Sequence, residues 1–255
     1  SENPEVTKRA VILARQSGAV EDSRVLLKRW RKLAPHSVDS LEAQLIFEAH
    51  HGKKETIKKI LDELLSKDAN YNYFWISSFW TGLKDERKVD LLNALLLCAN
   101  GNNNDSLAMI VTEIQNRQLK ESGTEWLDQW MENRNLTEGI LLFRARLDLP
   151  DFKRAIQRLE QDINLKDALD IKAQLARWYG LSHELDRARI LLDEVIEKDK
   201  SRFPDILTLG LLEKQSNRFD AAETQLKKLL AKEQFRADAY YHLGEIAKKT
   251  DLENS

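Results

Sequence analysis

The chain has 255 residues, of which 42% are hydrophobic and 32% are charged, and it contains nine glycines and four prolines. This composition favours amphipathic helices and is poor in the turn residues that a sandwich of short β-strands requires. Forty basic residues are balanced by 42 acidic residues, so the net charge of −2 gives no field that attracts nucleic acid. Cys98 is the single cysteine, which excludes an intrachain disulfide and a cysteine-based zinc site, and its apolar neighbours predict a buried thiol.

Residues 4–70 carry the pattern of two helical hairpins. Each hairpin has two segments of helical apolar periodicity separated by a glycine, Gly18 in the first and Gly52 in the second. Pro35 follows the first hairpin, at a place where a proline readily ends a helical repeat. Trp30 falls on the face of its helix that meets the next hairpin, so a core position is favoured over a ligand anchor.

Residues 71–135 are also predicted to be helical, with the pairing of their helices left open. The segments with helical periodicity are 71–83, 89–99, 106–119 and 125–134. The asparagine-rich run 100–105 predicts a turn and a helix N-cap rather than a linker. Tyr71, Trp75 and Trp80 are candidates for an exposed aromatic patch that anchors a partner, since such residues dominate interface hot spots. Ordinary packing between helices is the alternative for these aromatic residues.

Residues 136–249 show a repeat of 34 residues. Ala176, Gly210 and Gly244 recur at that spacing, each in the middle of an apolar-periodic segment. Apolar stripes of helical spacing are found at 152–163, 185–196 and 219–230. Two antiparallel helices approach closely only where one side chain is small, and glycine costs a helix about 1 kcal/mol relative to alanine. Glycine at a fixed position in a helix therefore predicts close helix–helix packing.

This pattern resembles the tetratricopeptide (TPR) repeat, in which helix A and helix B form a hairpin and successive hairpins stack. The resemblance implies an all-α chain that forms a TPR-type α-α superhelical solenoid of about seven hairpins, irregular in the middle. We therefore expect one solenoid over 1–255, with regular repeats at 4–70 and 136–249 and irregular units at 71–135. The last predicted helix has no following helix B, so the chain is expected to be a fragment of a longer protein.

A narrower resemblance is carried by segments near the two ends of the chain. Residues 3–10, 26–35, 204–212 and 237–247 are similar to repeats of proteobacterial outer-membrane TPR lipoproteins. That group includes adaptors that present substrates to a periplasmic carboxyl-terminal processing protease. The resemblance implies a periplasmic protein associated with the outer membrane as a lipoprotein, and a cytoplasmic location is the alternative.

The TPR resemblance also implies a binding surface, because helix A lines the concave wall of such a solenoid. The helix A register in residues 136–249 gives the groove candidates Arg144, Asp170, Arg177, Lys214, Gln215, Asp238, Tyr241 and Glu245. Together they predict a mixed-charge groove suited to an extended peptide or a partner helix.

No catalytic or cofactor motif accompanies the repeats. The sequence contains no HExxH, GxSxG, phosphate-binding loop or dinucleotide fingerprint, and the adjacent His50 and His51 cannot share one metal ion on a helix. No apolar run approaches the roughly 18 residues of a membrane-spanning helix. We predict a non-catalytic scaffold or adaptor without cofactor or metal, whose partner is a protein or peptide, including the protease and its substrates, and not nucleic acid. The alternative is a TPR segment of a larger envelope assembly machine for polysaccharide export or pilus biogenesis.

Overall fold

A computed structural model describes residues 3–119, 123–161 and 168–253 of the chain. These residues form α-helices, one 3₁₀ turn (Phe74–Ile76) and one π-helical segment (Ile114–Leu119), and no strand occurs among them. The α-helices are α1 (Pro4–Gln16), α2 (Val20–Leu33), α3 (Val38–His51), α4 (Lys54–Lys67), α5 (Ser77–Trp80), α6 (Asp85–Gly101), α7 (Asp105–Glu113), α8 (Gly123–Met131), α9 (Glu138–Arg146), α10 (Phe152–Gln161), α11 (Leu169–Leu181), α12 (Leu185–Lys198), α13 (Phe203–Gln215), α14 (Phe219–Leu229) and α15 (Glu233–Glu253). The predicted all-α class is confirmed.

The chain divides into two compact units, Ser1–Leu136 and Thr137–Ser255, and each is described by itself. The expectation of one continuous solenoid over 1–255 stays a prediction. In the part of the chain that the structure describes, every helix is too short or too polar to span a membrane.

The first unit begins with the two predicted hairpins. α1 packs against α2 and α3 packs against α4, while α2 also contacts α3. Gly18 joins α1 to α2 with a φ of 72°, a left-handed conformation that glycine adopts without steric cost. Trp30 is buried with Val11, Leu27 and Phe47 in one apolar cluster, so its predicted core position is confirmed.

The region after α4 departs from the predicted helix over 71–83, where only the 3₁₀ turn and the one-turn helix α5 form. The backbone here is held by side chains from the start of α7. Asn104 Nδ2 donates to the Tyr71 carbonyl at 3.1 Å, and the Tyr73 amide donates to Ser106 Oγ at 2.8 Å. These bonds take the place of the i to i−4 bonds that a helix would supply.

The asparagine-rich run ends α6 and begins α7. Asn104 accepts a hydrogen bond from the Leu107 amide at 2.8 Å, which confirms the N-cap predicted in this run. α6 packs against α3 and α4, and α7 packs against α8, which gives the pairing that the sequence left open. Cys98 of α6 is 1% exposed, as predicted, and burial raises the pKa of its thiol to about 12.

The second unit contains the 34-residue repeat. α9 packs with α10, α11 with α12, α13 with α14, and α14 with α15. The turns after α11 and α13 match, since His183 and Asn217 adopt left-handed φ values of 63° and 57° at equivalent positions. A Cβ atom on Gly210 would lie 3.1 Å from Leu226, which confirms the predicted close packing of α13 on α14. The same prediction is wrong for Gly244, because a Cβ atom there meets no described atom within 4 Å.

The predicted helix B stripes form the core between these pairs. Ala155, Ala188 and Ala222 are fully buried, each at the small position of its stripe. Ile163, which was expected to extend the first stripe, lies outside the described residues. Asp151 caps α10 by accepting a hydrogen bond from a first-turn amide at 3.0 Å.

Candidate partner-binding groove

A cavity of about 540 Å³ opens between α11 and α13, the A helices of two consecutive hairpins. Its wall is mainly apolar and includes Ala176, Leu181, Leu211 and Leu212, with Arg177 and Gln215 among its polar members. We call this cavity the α11–α13 groove. A Cβ atom on Gly180 would lie 2.9 Å from Leu212 Cδ2, so the two helices approach closely at this glycine. Of the predicted groove candidates, Arg177 and Gln215 line this cavity, and its role as a binding surface stays a prediction.

The charged candidates beside this groove are paired across the two hairpins. Arg202, just before α13, donates to Asp170 of α11 at 2.8 Å and to Asp205 of α13 at 2.6 Å. Arg177 of α11 also donates to Asp205, whose side chain is 2% exposed. The predicted mixed charges thus largely neutralise one another between α11 and α13.

A second charged group joins α13 to α15. Lys214 Nζ donates to Glu245 Oε2 at 2.7 Å and lies 3.0 Å from His242 Nδ1. Hydrogen bonds from Lys214 and His242 lower the pKa of the Glu245 carboxyl to about 2. Tyr241 is 65% exposed, and its hydroxyl donates to Glu245 at 3.4 Å. Glu245 is therefore ionised at neutral pH and matched to Lys214.

The remaining groove candidates differ in their exposure. Gln215 and Asp238 are exposed, and Gln215 contributes to the α11–α13 groove. Arg144 is 1% exposed and donates to Asp148 at 3.0 Å. The prediction of Arg144 as a groove contact is wrong, because a buried guanidinium held by a carboxylate cannot reach a partner.

The aromatic candidates belong to the first unit. Trp80 is fully buried with Tyr73 and Ile76, so the anchor interpretation is wrong for Trp80 and core packing is correct. Tyr71 and Trp75 are half-buried at the edge of the same cluster. The Tyr71 hydroxyl is occupied by a hydrogen bond to a glutamate carboxylate, and burial raises the pKa of this hydroxyl. A role for Tyr71 and Trp75 in binding a partner stays a prediction.

The first unit contains a smaller cavity, of about 260 Å³, that sequence reasoning missed. Arg15 of α1, Phe47, His50 and His51 of α3, and Phe79 of α5 line it. The His50 ring lies 6.4 Å from the Phe79 ring, and burial together with neighbouring cations lowers the pKa of His50. The signal was available, because applying the helix A register to residues 4–70 would have selected positions on α1 and α3.

Arg177→Glu is expected to lower the free energy of unfolding of the second unit by about 2 kcal/mol, because the new carboxylate faces the buried Asp205. Arg177→Met removes the charge without adding repulsion and should cost less. Thermal and urea unfolding followed by circular dichroism measure both variants. Equal stability of Arg177→Glu and the unsubstituted protein would contradict the structural role of this pair.

Comparison with known proteins places this chain in no known family. No protein-family model matches the chain, and no curated protein matches it. A chain in the structure described as "Crystal structure of APC/C hetero-tetramer Cut9-Hcn1" is similar, with a TM-score of 0.46 and 14% sequence identity. The match covers 89% of this chain and 52% of that chain, so this chain spans about half the length of the solved one. A similarity of this size carries no argument about function.

Proposed function

We propose that the chain is a non-catalytic protein-interaction scaffold that binds an extended peptide or a helix of a partner protein in the α11–α13 groove. The observation that carries the proposal is the apolar cavity of about 540 Å³ between two stacked A helices. Leu181 in its wall is 63% exposed, and burying a leucine side chain is worth about 1.5–3 kcal/mol. Peptides are commonly recognised through an apolar side chain that is buried in a groove of this kind.

The paired charges beside the groove fix its geometry more than they supply affinity. A partner that bound Arg177 or Lys214 would have to replace Asp205 or Glu245, so little free energy would be gained. The apolar side chains of the wall make no ion pair that a partner would have to replace. Gln215 lines the groove, whereas Asp238 and Tyr241 are exposed on α15 outside its lining. The charged candidates in ion pairs, including Asp170, act mainly through those pairs.

Leu181→Asp is expected to weaken partner binding about tenfold or more, because a carboxylate in the groove wall would lose its hydration when the apolar part of a partner covers it. Ile190→Asp is the matched control, since Ile190 is 54% exposed on helix α12 of the same hairpin. Isothermal titration calorimetry with the captured partner measures both variants, and far-UV circular dichroism checks their fold. If Ile190→Asp abolished binding and Leu181→Asp did not, the partner would bind elsewhere than the groove.

The finer proposal is that the protein is an adaptor at the outer membrane, facing the periplasm, whose partners are a carboxyl-terminal processing protease and its substrates. The similarity of 3–10, 26–35, 204–212 and 237–247 to repeats of outer-membrane TPR lipoproteins supports it. A TPR segment of a polysaccharide-export or pilus-assembly machine is the alternative function, and the cytoplasm is the alternative location.

Affinity capture from the envelope fraction of the native organism, followed by mass spectrometry, separates these proposals. Recovery of a processing protease supports the adaptor. Recovery of envelope assembly components instead favours the alternative, and recovery of cytoplasmic proteins alone contradicts the periplasmic location. The Leu181→Asp variant serves as the bait that should lose the specific partner.

A further inference from the structure

A further cavity belongs to the first unit and lies between α2 and α4. Its volume is about 430 Å³, and the charged residues that line it are Lys28, Arg31, Lys32, Lys59 and Glu63. We call it the α2–α4 cleft. Four cations face one carboxylate here, in a chain whose overall formal charge is −2. The cleft is therefore a local concentration of positive charge that the overall composition conceals.

Two of these five groups already bind each other. The Arg31 guanidinium donates to Glu63 Oε1 at 2.5 Å and also reaches the Pro35 carbonyl at 3.3 Å, which fixes its position. The three lysines differ from Arg31. The side chains of Lys28, Lys32 and Lys59 are exposed and make no hydrogen bond or ion pair with any residue that the structure describes. The ammonium groups of these three lysines are therefore the charges in the cleft that can pair with a ligand.

Helix stability accounts for only part of this charge. Lys32 lies in the last turn of α2, where a cation is favoured by the helix dipole. Lys28 and Lys59 lie in the middle of their helices, where the helix dipole does not stabilise a cation. Lys53 and Lys54 at the start of α4 oppose the dipole, although Glu55 in the same turn offsets part of the repulsion. The helix dipole therefore accounts for only one of the three unpaired lysines of the cleft.

We propose that the α2–α4 cleft binds an acidic segment of a partner protein, whose carboxylates pair with Lys28, Lys32 and Lys59. Charge complementarity selects the acidic ligand, and Arg31 is already paired with Glu63. The cleft also contains the buried side chain of Ile60 and the neutral Gln44, so it can accept an uncharged residue between the acidic ones.

The same surface is poorly suited to nucleic acid. None of the described residues that line the cleft is aromatic, so the bases of a single strand would have no ring to stack on. Glu63 interrupts the row of cations that a phosphate backbone would follow. The cleft is formed mainly by the B helices of the first two hairpins, with Gln44 of α3, and it shares no lining residue with the α11–α13 groove.

The test uses the full chain and a short fluorescein-labelled peptide of aspartate and glutamate with one leucine, followed by fluorescence anisotropy. The variant Lys28→Glu/Lys32→Glu/Lys59→Glu is expected to bind this peptide about tenfold to a hundredfold more weakly. Lys153→Glu/Lys200→Glu/Lys248→Glu is the matched control, since it changes the net charge equally at exposed lysines of the second unit. It should bind within about twofold of the unsubstituted protein, and binding should weaken as salt is added.

Several outcomes would overturn the proposal. One is an equal loss of affinity for the acidic peptide in both triple variants, and another is equal binding of a peptide with glutamine and asparagine in place of the acids. The others are tighter binding of a single-stranded DNA oligonucleotide and no binding of the acidic peptide by the unsubstituted protein. Circular dichroism and thermal unfolding check the fold, and the milder Lys28→Gln/Lys59→Gln variant should still bind severalfold more weakly. Leu181→Asp should leave binding of the acidic peptide unchanged, which separates this site from the groove.

Discussion

Asp148→Asn is expected to lower the free energy of unfolding of the second unit by about 3 kcal/mol or more. Asp148 lies in the turn between α9 and α10, and its side chain is 4% exposed. Arg144 donates to it at 3.0 Å and Arg158 at 2.7 Å, while Arg154 lies 3.3 Å away. Removing the negative charge leaves the buried Arg144 without this carboxylate, which is the costly way to break a buried ion pair.

The pH dependence of unfolding gives an independent measurement of the same group. Burial raises the pKa of the Asp148 carboxyl, but hydrogen bonds from Arg158 and Arg144 outweigh burial and hold this pKa below its ordinary value. The carboxylate therefore stabilises the fold above the pKa that it has in the unfolded chain. That contribution is lost as the pH falls through the lower pKa of the folded state.

Urea unfolding at a series of acidic pH values should show this loss in the unsubstituted protein and a reduced loss in Asp148→Asn. Asp193→Asn is the control, because Asp193 is exposed on α12 and the same change there should stay within about 0.5 kcal/mol at neutral pH. If the two variants unfolded alike at neutral pH, the three arginines would not depend on Asp148.

Much of the fold could be predicted because its determinants are local and periodic. Gly18 marks a turn through its own backbone freedom, and the buried Ala188 and Ala222 lie on stripes that any helix of that register would bury. The segment 71–83 could not be predicted in the same way. Its backbone is bound by Asn104 and Ser106, more than thirty positions along the chain, which local periodicity does not contain.

For the groove, the sequence likewise predicted the positions of the candidate residues but not the partners that their charges bind. The register placed Arg177 and Lys214 on the A helices, but whether their charges are free depends on residues of the next hairpin. Arg177 binds Asp205, 28 positions on, and Lys214 binds Glu245, 31 positions on. A search for opposite charges at nearly one repeat length would have found these pairs. The burial of Arg144 follows from a charge cluster between α9 and α10, and the 34-residue spacing does not specify such a cluster.

The packing of α13 on α14 depends on Gly210, and Gly210→Leu is expected to destabilise the second unit by about 3 kcal/mol. A Cβ atom at this position would lie 3.1 Å from both Cγ and Cδ2 of Leu226 and 3.5 Å from Gln225 Cβ. Leucine adds further carbons beyond Cβ, so α13 and α14 must separate or Leu226 must leave a core in which it is fully buried.

Gly244→Leu is the matched control, because Gly244 has the equivalent position one repeat later and its Cβ would meet no described atom within 4 Å. There the gain in helix propensity, up to about 1 kcal/mol, should be the only large effect. Gly210→Ala should fall between the two, since the Leu226 side chain can yield slightly to one methyl group. Thermal unfolding by circular dichroism should therefore rank Gly244→Leu above Gly210→Ala and Gly210→Leu lowest. If Gly210→Leu melted at or above the temperature of the unsubstituted protein, close helix packing would not be the reason for glycine at this position.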